Sequence, residues 1–196
     1  MRNIPSTDLN LTLQNIPIDT KSLRSLRRYL KYDFSYITGP LFFMFALAMK
    51  KGKIRGVYLT DGKKDIGYAI VKNYPELNLI HVEFLAILPE YRSDGFGSIF
   101  IEKLINHLGN LILEVEDPDL VQNNQAEFIT RTRRIRFYER NGLQLDPDLK
   151  FNHAGYPLRV MSNIHLPKVD WLKIFRSSYN QLYGLPIAHL IFKARS

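Results

Sequence analysis

The chain has no cysteine among its 196 residues. Disulfide cross-links and thiolate nucleophiles are thereby excluded, and a reducing cytoplasm is the expected compartment. Long apolar runs are also missing. The longest, LFFMFALAM at 41–49, has nine residues, whereas a bilayer span needs about 20. The opening MRNIPSTDLN has no apolar core of the kind a signal peptide carries. Acidic residues are in deficit, with Asp+Glu 19 against Lys+Arg 27 and a formal charge of +8. That excess suits an anionic partner: a nucleotide-bearing cofactor, a nucleic acid or a membrane surface. Charge alone does not choose among them. No internal repeat, low-complexity stretch or linker interrupts the chain.

What is present is a globular composition, 45% hydrophobic and 23% charged, long enough for one domain with a full core. Residues 10–17 predict a short strand. Leu23, Leu26 and Leu30 recur at helical spacing within 20–32, among basic residues, with Thr20 placed to cap. Pro40, the lysines at 50 and 51 and Gly52 bound a helix over 40–51, expected to be amphipathic and buried. IRGVYLT, the turn DGKK and DIGYAIVK read as a hairpin, and NYPELN leads into a third strand, LIHVEFLAIL. From Gly95 the period becomes helical (Phe96, Ile99, Ile101, Leu104, Ile105, Leu108) until Gly109. LILEVE is a strand, 125–141 a helix stopped by Asn141-Gly142, and two weaker strands fall near 143–150 and 156–164. Residues 168–182 carry an aromatic stripe (Trp171, Ile174, Phe175, Tyr179, Leu182), either covering the core or forming a dimer contact. The expected class is mixed α/β, as one domain over 1–166 with a helical extension at 167–196 packed on it.

One loop stands out: ILPEYRSDGFGS at 87–98. A strand running through glycines into a helix makes an anion site, because the first amides of the helix are unpaired and the dipole favours negative charge. Glycines at 95 and 97 would let a pyrophosphate approach the backbone. An ordinary helix entry has the same look. The neighbouring hairpins argue against a Rossmann unit, and the Gly-Lys-Ser/Thr ending of a P-loop is missing.

The second feature is FYERNGL at 137–143, closing the helix that follows LILEVE. Arg92-x-x-Gly95-x-Gly97 behind Ile87-x-Pro89, followed by this Phe-Tyr-x-Arg-x-Gly ending, resembles the GNAT superfamily of acyl-CoA-dependent N-acetyltransferases. The resemblance covers about residues 10–165 and extends loosely to bacterial members of unassigned substrate. It implies a mixed, mostly antiparallel sheet with splayed central strands, flanked by helices. It implies acetyl-CoA as cofactor. Leu85, Ala86 and Ile87 would pair with the pantetheine arm on a bulged strand. The amides from Ser93 through Asp94, Gly95, Phe96 and Gly97 to Ser98, with Arg92 heading the motif, would hold the pyrophosphate. Tyr138 matches the tyrosine beside the cofactor sulfur.

Acyl transfer to an amine needs a neutral nucleophile, a polarised carbonyl and a protonated leaving thiolate. A backbone N–H near Leu85 or Ala86 could hold the oxyanion, and Tyr138 could protonate the thiolate. For the base, strand alternation puts His81, Glu83 and Leu85 on one face and Glu114 and Glu116 with Ile112 on another. A carboxylate within an apolar strand needs water or a partner. Glu83 is the first candidate base and Glu114 the second, with His81 and Glu116 lining the substrate site; salt bridges to arginines are the plain alternative for each carboxylate. Arg131, Arg134 and Tyr138 share a helical face within RTRRIRFY, reaching cofactor phosphates, a polyanionic substrate or simply solvent.

Two departures stand against the family pattern. Asp94 beside a pyrophosphate is repulsive unless it turns to solvent or pairs with Arg92, and Arg131 occupies the place of a common asparagine. The reading is an N-acetyltransferase acting on a primary amine of a small molecule or a peptide or protein by direct attack, as a monomer or homodimer, with no metal and no membrane partner. The rival is a silent acyl-CoA sensor or a basic RNA-docking module on the same fold. Against the RNA version stands the lack of any RRM, zinc or helix-turn-helix signature.

Overall fold

Among the described residues, seven strands and four helices stand where the sequence patterns above put them, and one more short strand, Phe192–Ala194, joins them. The computed structural model describes residues 10–153, 155–165, 175–180 and 192–194. Two compact units divide the chain, Met1–Gly109 and Asn110–Ser196.

In the first unit the strands are β1 (Thr12–Asn15), β2 (Arg55–Thr60), β3 (Asp65–Tyr74) and β4 (Leu79–Ile87), in that spatial order, each antiparallel to the next. Helices α1 (Thr20–Asp33) and α2 (Gly39–Lys50) precede β2, and α3 (Phe96–Leu108) follows β4. The cap of α1 is Asp19 rather than Thr20: its carboxylate accepts from the Ser22 amide at 2.9 Å, three residues on, where a side-chain acceptor satisfies an otherwise unpaired donor. Thr38 caps α2. That helix buries Phe42, Phe45, Ala48 and Met49 but leaves Phe43 68% and Leu47 41% exposed. It is therefore apolar on both faces and not amphipathic, because the run at 41–49 contains no polar residue to form a second face.

The β3–β4 ladder decides what lies on which side of the sheet. Residues directly opposite one another share a face. Tyr68, Ile70 and Lys72 face the same way as Ala86, Phe84 and His81, while Gly67, Ala69 and Val71 go with Ile87, Leu85 and Val82. The first face carries α1 and α2: Phe84 meets Phe34 at 4.9 Å and Phe45 at 5.4 Å between ring centroids. The second carries α3, whose Phe100 stands against Gly67. Phe100, Ile101 and Leu104 are buried there.

In the second unit β5 (Asn110–Glu116), β7 (Tyr156–Ser162), β6 (Gln144–His153) and β8 (Phe192–Ala194) lie in that order, all antiparallel, with α4 (Gln125–Arg140) between β5 and β6. The Asn-Gly stop works as expected. The Asn141 side chain donates to the Phe137 carbonyl at 2.7 Å, and Gly142 adopts φ +84, closing the last turn. Of the aromatic stripe, Phe175 and Tyr179 sit in a described helical stretch, 175–180, and are buried. Phe175 packs on Phe151 of β6 at 5.7 Å. Trp171, Ile174 and Leu182 lie outside the described residues. Among the described residues no helix is long and apolar enough to cross a membrane.

Candidate functional site

The ladder of β4 is broken once. Ile70 pairs with Phe84 and its neighbour Val71 with Val82, so Glu83 is an extra residue. Such a bulge shifts the alternation downstream by one. Strict alternation, which groups His81, Glu83 and Leu85, therefore fails: His81 lies on the α1/α2 face and Leu85 on the α3 face. Glu83 stays with His81, their Oε1 and Nδ1 being 3.3 Å apart. A residue the periodicity missed joins them. Lys72 lies directly opposite His81, is 6% exposed, and holds its ammonium 5.5 Å from the Tyr74 ring centroid. Burial lowers the Lys72 pKa, and the nearby Glu83 charge offsets part of that. A lysine directly behind the apolar strand run YAIV at 68–71 was the available signal. The aromatic pair Phe34 and Phe45 closes over Phe84 beside this cluster.

Behind the bulge, Leu85, Ala86 and Ile87 pair on one edge with Ala69, Tyr68 and Gly67. The Leu88 amide still reaches the Ile66 carbonyl at 2.9 Å. A 3₁₀ turn at Pro89–Tyr91 then lifts the chain off the sheet. Ser93 at φ +71 and Gly95 at φ +83 are both left-handed. For serine this is an uncommon and costly conformation, of the sort found where the backbone has a ligand to serve. Gly95 is the N-cap of α3, and no side chain caps that end. Ser98 and Ile99 return their amides to the Gly95 carbonyl. The first turn of α3 thus carries the anion-attracting end of the helix dipole. Ser93, Gly95 and Ser98 are exposed, Asp94 and Gly97 half-buried, and Phe96 is buried as an anchor against Tyr91. Arg92 does not stand free beside the loop: its guanidinium pairs with Asp33 of α1, and its Nε donates to the Ile87 carbonyl at 2.9 Å.

In the second unit Glu114 is held by two groups that no local pattern links to it. The Tyr179 hydroxyl donates to Oε1 at 3.0 Å, and His153 Nδ1 lies 3.6 Å from Oε2. The two rings pack at 4.3 Å. Glu116, two residues on and on the same face, pairs with Arg134 of α4. Arg131 donates to Glu127 at 2.8 Å and to the Asp117 carbonyl at 2.9 Å. Glu116 and Arg134 are thus each other's ionic partners, and Arg131 ties α4 to the turn after β5. Tyr138 is half-buried against Phe137, with centroids 5.1 Å apart. Burial pushes its phenol above the ordinary value, the Arg134 charge opposing in part. A phenol so placed stays protonated at neutral pH and has a proton to give.

Residues 53–144 match the family model described as the acetyltransferase (GNAT) domain. No curated protein matches the chain in sequence. Among solved structures, a Bacteroides thetaiotaomicron protein described as a GNAT-family acetyltransferase aligns with TM-score 0.66 at 21% identity, covering 89% of this chain and 99% of that one. An aminoglycoside 6'-N-acetyltransferase complexed with coenzyme A aligns at TM-score 0.60 and 14% identity, over 80% and 99% of the two chains. The spermidine/spermine N-acetyltransferase SpeG from Vibrio cholerae aligns at TM-score 0.54 and 16% identity, over 78% and 93%. At these identities the structural likeness is one of fold.

Proposed function

We propose, from the match of residues 53–144 to the GNAT acetyltransferase domain, that the chain is an acetyltransferase of that kind and moves an acetyl group from acetyl-CoA to a primary amine by direct attack. The observation that carries this reading is the loop behind β4. Ser93 and Gly95 in left-handed conformations turn the backbone so that α3 starts without a side-chain cap. The amides from Ser93 to Gly97 are the groups that would hold the cofactor's pyrophosphate, the Ser98 amide being already returned to the Gly95 carbonyl at 3.0 Å, and Leu85–Ile87 those that would meet its pantetheine arm. One structural neighbour is a complex with coenzyme A, which supports the same cofactor here.

In the transfer the amine nitrogen attacks the thioester carbon. The C–N bond forms, the C–S bond breaks, the amine loses a proton and the departing thiolate gains one. Glu83, on the bulge beside His81, is the proposed base, directly or through a water, with Glu114 as second candidate. Tyr138 is the proposed donor to the thiolate. A backbone N–H at Leu85 or Ala86 would polarise the carbonyl. Arg131 and Arg134 are ion-paired within their own unit, which draws two cations of the RTRRIR run away from an RNA-docking role. Isothermal titration with acetyl-CoA tests the reading. Binding is expected, followed by thiol release over a panel of amines with 5-thio-2-nitrobenzoate as the reporter. No binding at millimolar cofactor refutes it.

A further inference from the structure

Asp33 ends α1, 59 residues from Arg92 in sequence and outside every motif the sequence offers. Its carboxylate is only 8% exposed. One oxygen accepts from Arg92 and the other from the Tyr68 hydroxyl at 2.8 Å. Arg92 also donates to the Ile87 carbonyl at 2.9 Å and stands 5.9 Å over the Tyr32 ring centroid. Tyr68 is buried, stacked on Tyr29 of α1 at 5.8 Å, and lies opposite Ala86 in the ladder. One carboxylate thus ties together the end of α1, β3, the last residue of β4 and the start of the loop. A planar guanidinium held through two of its nitrogens, Nε and Nη2, is fixed in orientation as well as position.

We propose that Asp33 is a positioning residue for the anion-binding loop. It holds Arg92 as a strut between α1 and the Ile87 carbonyl, so that the path of Ser93–Gly95 is set before any ligand arrives, and the Arg92 side chain is not itself a phosphate ligand. This rests on the acetyl-CoA reading of the same loop. The two roles for Arg92 predict opposite signs. If Arg92 grips phosphate directly, Asp33 competes for it and repels the ligand, so Asp33→Asn frees a guanidinium, removes a negative charge and leaves coenzyme A bound as well or more tightly. If Arg92 is a strut, Asp33→Asn keeps an acceptor for Tyr68 but loses the ionic grip, and affinity falls against the direction of simple electrostatics. The loss is about fivefold, the size expected of a partly exposed charge-assisted hydrogen bond.

The experiment is isothermal titration of coenzyme A into the whole chain as wild type, Asp33→Asn, Asp33→Glu, Arg92→Ala and the Asp33→Asn/Arg92→Ala double variant, with a thermal melt of each. The expected result is a similar loss for Asp33→Asn and Arg92→Ala, a double variant no worse than the weaker single, and partial recovery in Asp33→Glu. Arg92→Ala removes a side chain that is 45% exposed, against 8% for Asp33, and so reports even where a change at Asp33 lowers the melting point. Equal or tighter binding by Asp33→Asn, or additive losses in the double variant, overturns the proposal. Absence of coenzyme A binding by the wild type instead overturns the cofactor reading on which it rests.

Discussion

Gly67 and Gly95 flank the same loop and are glycine for different physical reasons, which one substitution series separates. A Cβ added at Gly67 would lie 2.8 Å from the Ala86 carbonyl oxygen, 2.8 Å from Ile87 Cδ1 and 3.3 Å from Phe100 Cδ1. Carbon contacts want about 3.5 Å or more. The Ile87 methyl can swing aside, but the Ala86 carbonyl is backbone within the ladder and cannot. Gly67→Ala therefore overpacks the β3–β4–α3 junction at roughly 1–3 kcal/mol. At about 2–4 °C per kcal/mol for a chain of this size, the melting point falls by roughly 2–12 °C. At Gly95 nothing lies within 4 Å of the added Cβ, and φ is +83. The penalty there is conformational, about 1–2 kcal/mol for a left-handed alanine. The alanine values overlap, so asparagine is the discriminating probe. It tolerates the left-handed region but is larger. Gly95→Asn should melt above Gly95→Ala, and Gly67→Asn below Gly67→Ala. Scanning calorimetry of the four variants gives the order. The same ranking at both sites refutes the assignment of a steric cause to one and a backbone cause to the other.

Tyr138→Phe keeps the contact with Phe137 and removes the proton; turnover should fall by about a hundredfold or more with cofactor affinity by titration little changed, and unchanged turnover removes Tyr138 from the chemistry. Lys72→Met tests the buried amine. Because burial lowers the Lys72 pKa, the unfolded chain binds more protons than the folded one between that lowered value and the ordinary 10.5, so this residue makes stability rise with pH across that window. Urea midpoints measured from pH 7 to 10 should climb less steeply in the Met variant than in the wild type; parallel curves would place the Lys72 charge in water.

The helix limits were legible because their signals are local. Pro40 and the lysine pair bound α2, Gly109 stops α3 and Asn141-Gly142 stops α4, each acting within a turn of where it stands. The loop and the Phe-Tyr ending were legible together, as two motifs in order. What escaped depends on pairing between distant residues. The resemblance implies a bulged strand, but the place of the bulge at Glu83 appears only once β3 is laid beside β4, and without it His81 and Leu85 look like neighbours on one face. Lys72 acquires meaning only from the residue opposite it. Asp33 is 59 residues from Arg92, and Tyr179 is 65 from Glu114, so neither partnership leaves a spacing to read. Even the cap of α1 turned on geometry: Asp19 and Thr20 are both good capping residues, and the one three before Ser22 has the reach.

The bulge has a further consequence for insertions and deletions. Every residue of β4 other than Glu83 has a partner across the ladder. Removing codon 83 would therefore close the gap between Val82 and Phe84 and leave each remaining side chain on the face it now occupies. Removing codon 82 or 84 instead would draw Glu83 into the vacated register, against α3 in one case and under Phe34 and Phe45 in the other, burying a carboxylate among apolar groups. Of the nine codons of this strand, the one the sheet could shed without rearrangement is the one that carries the candidate base.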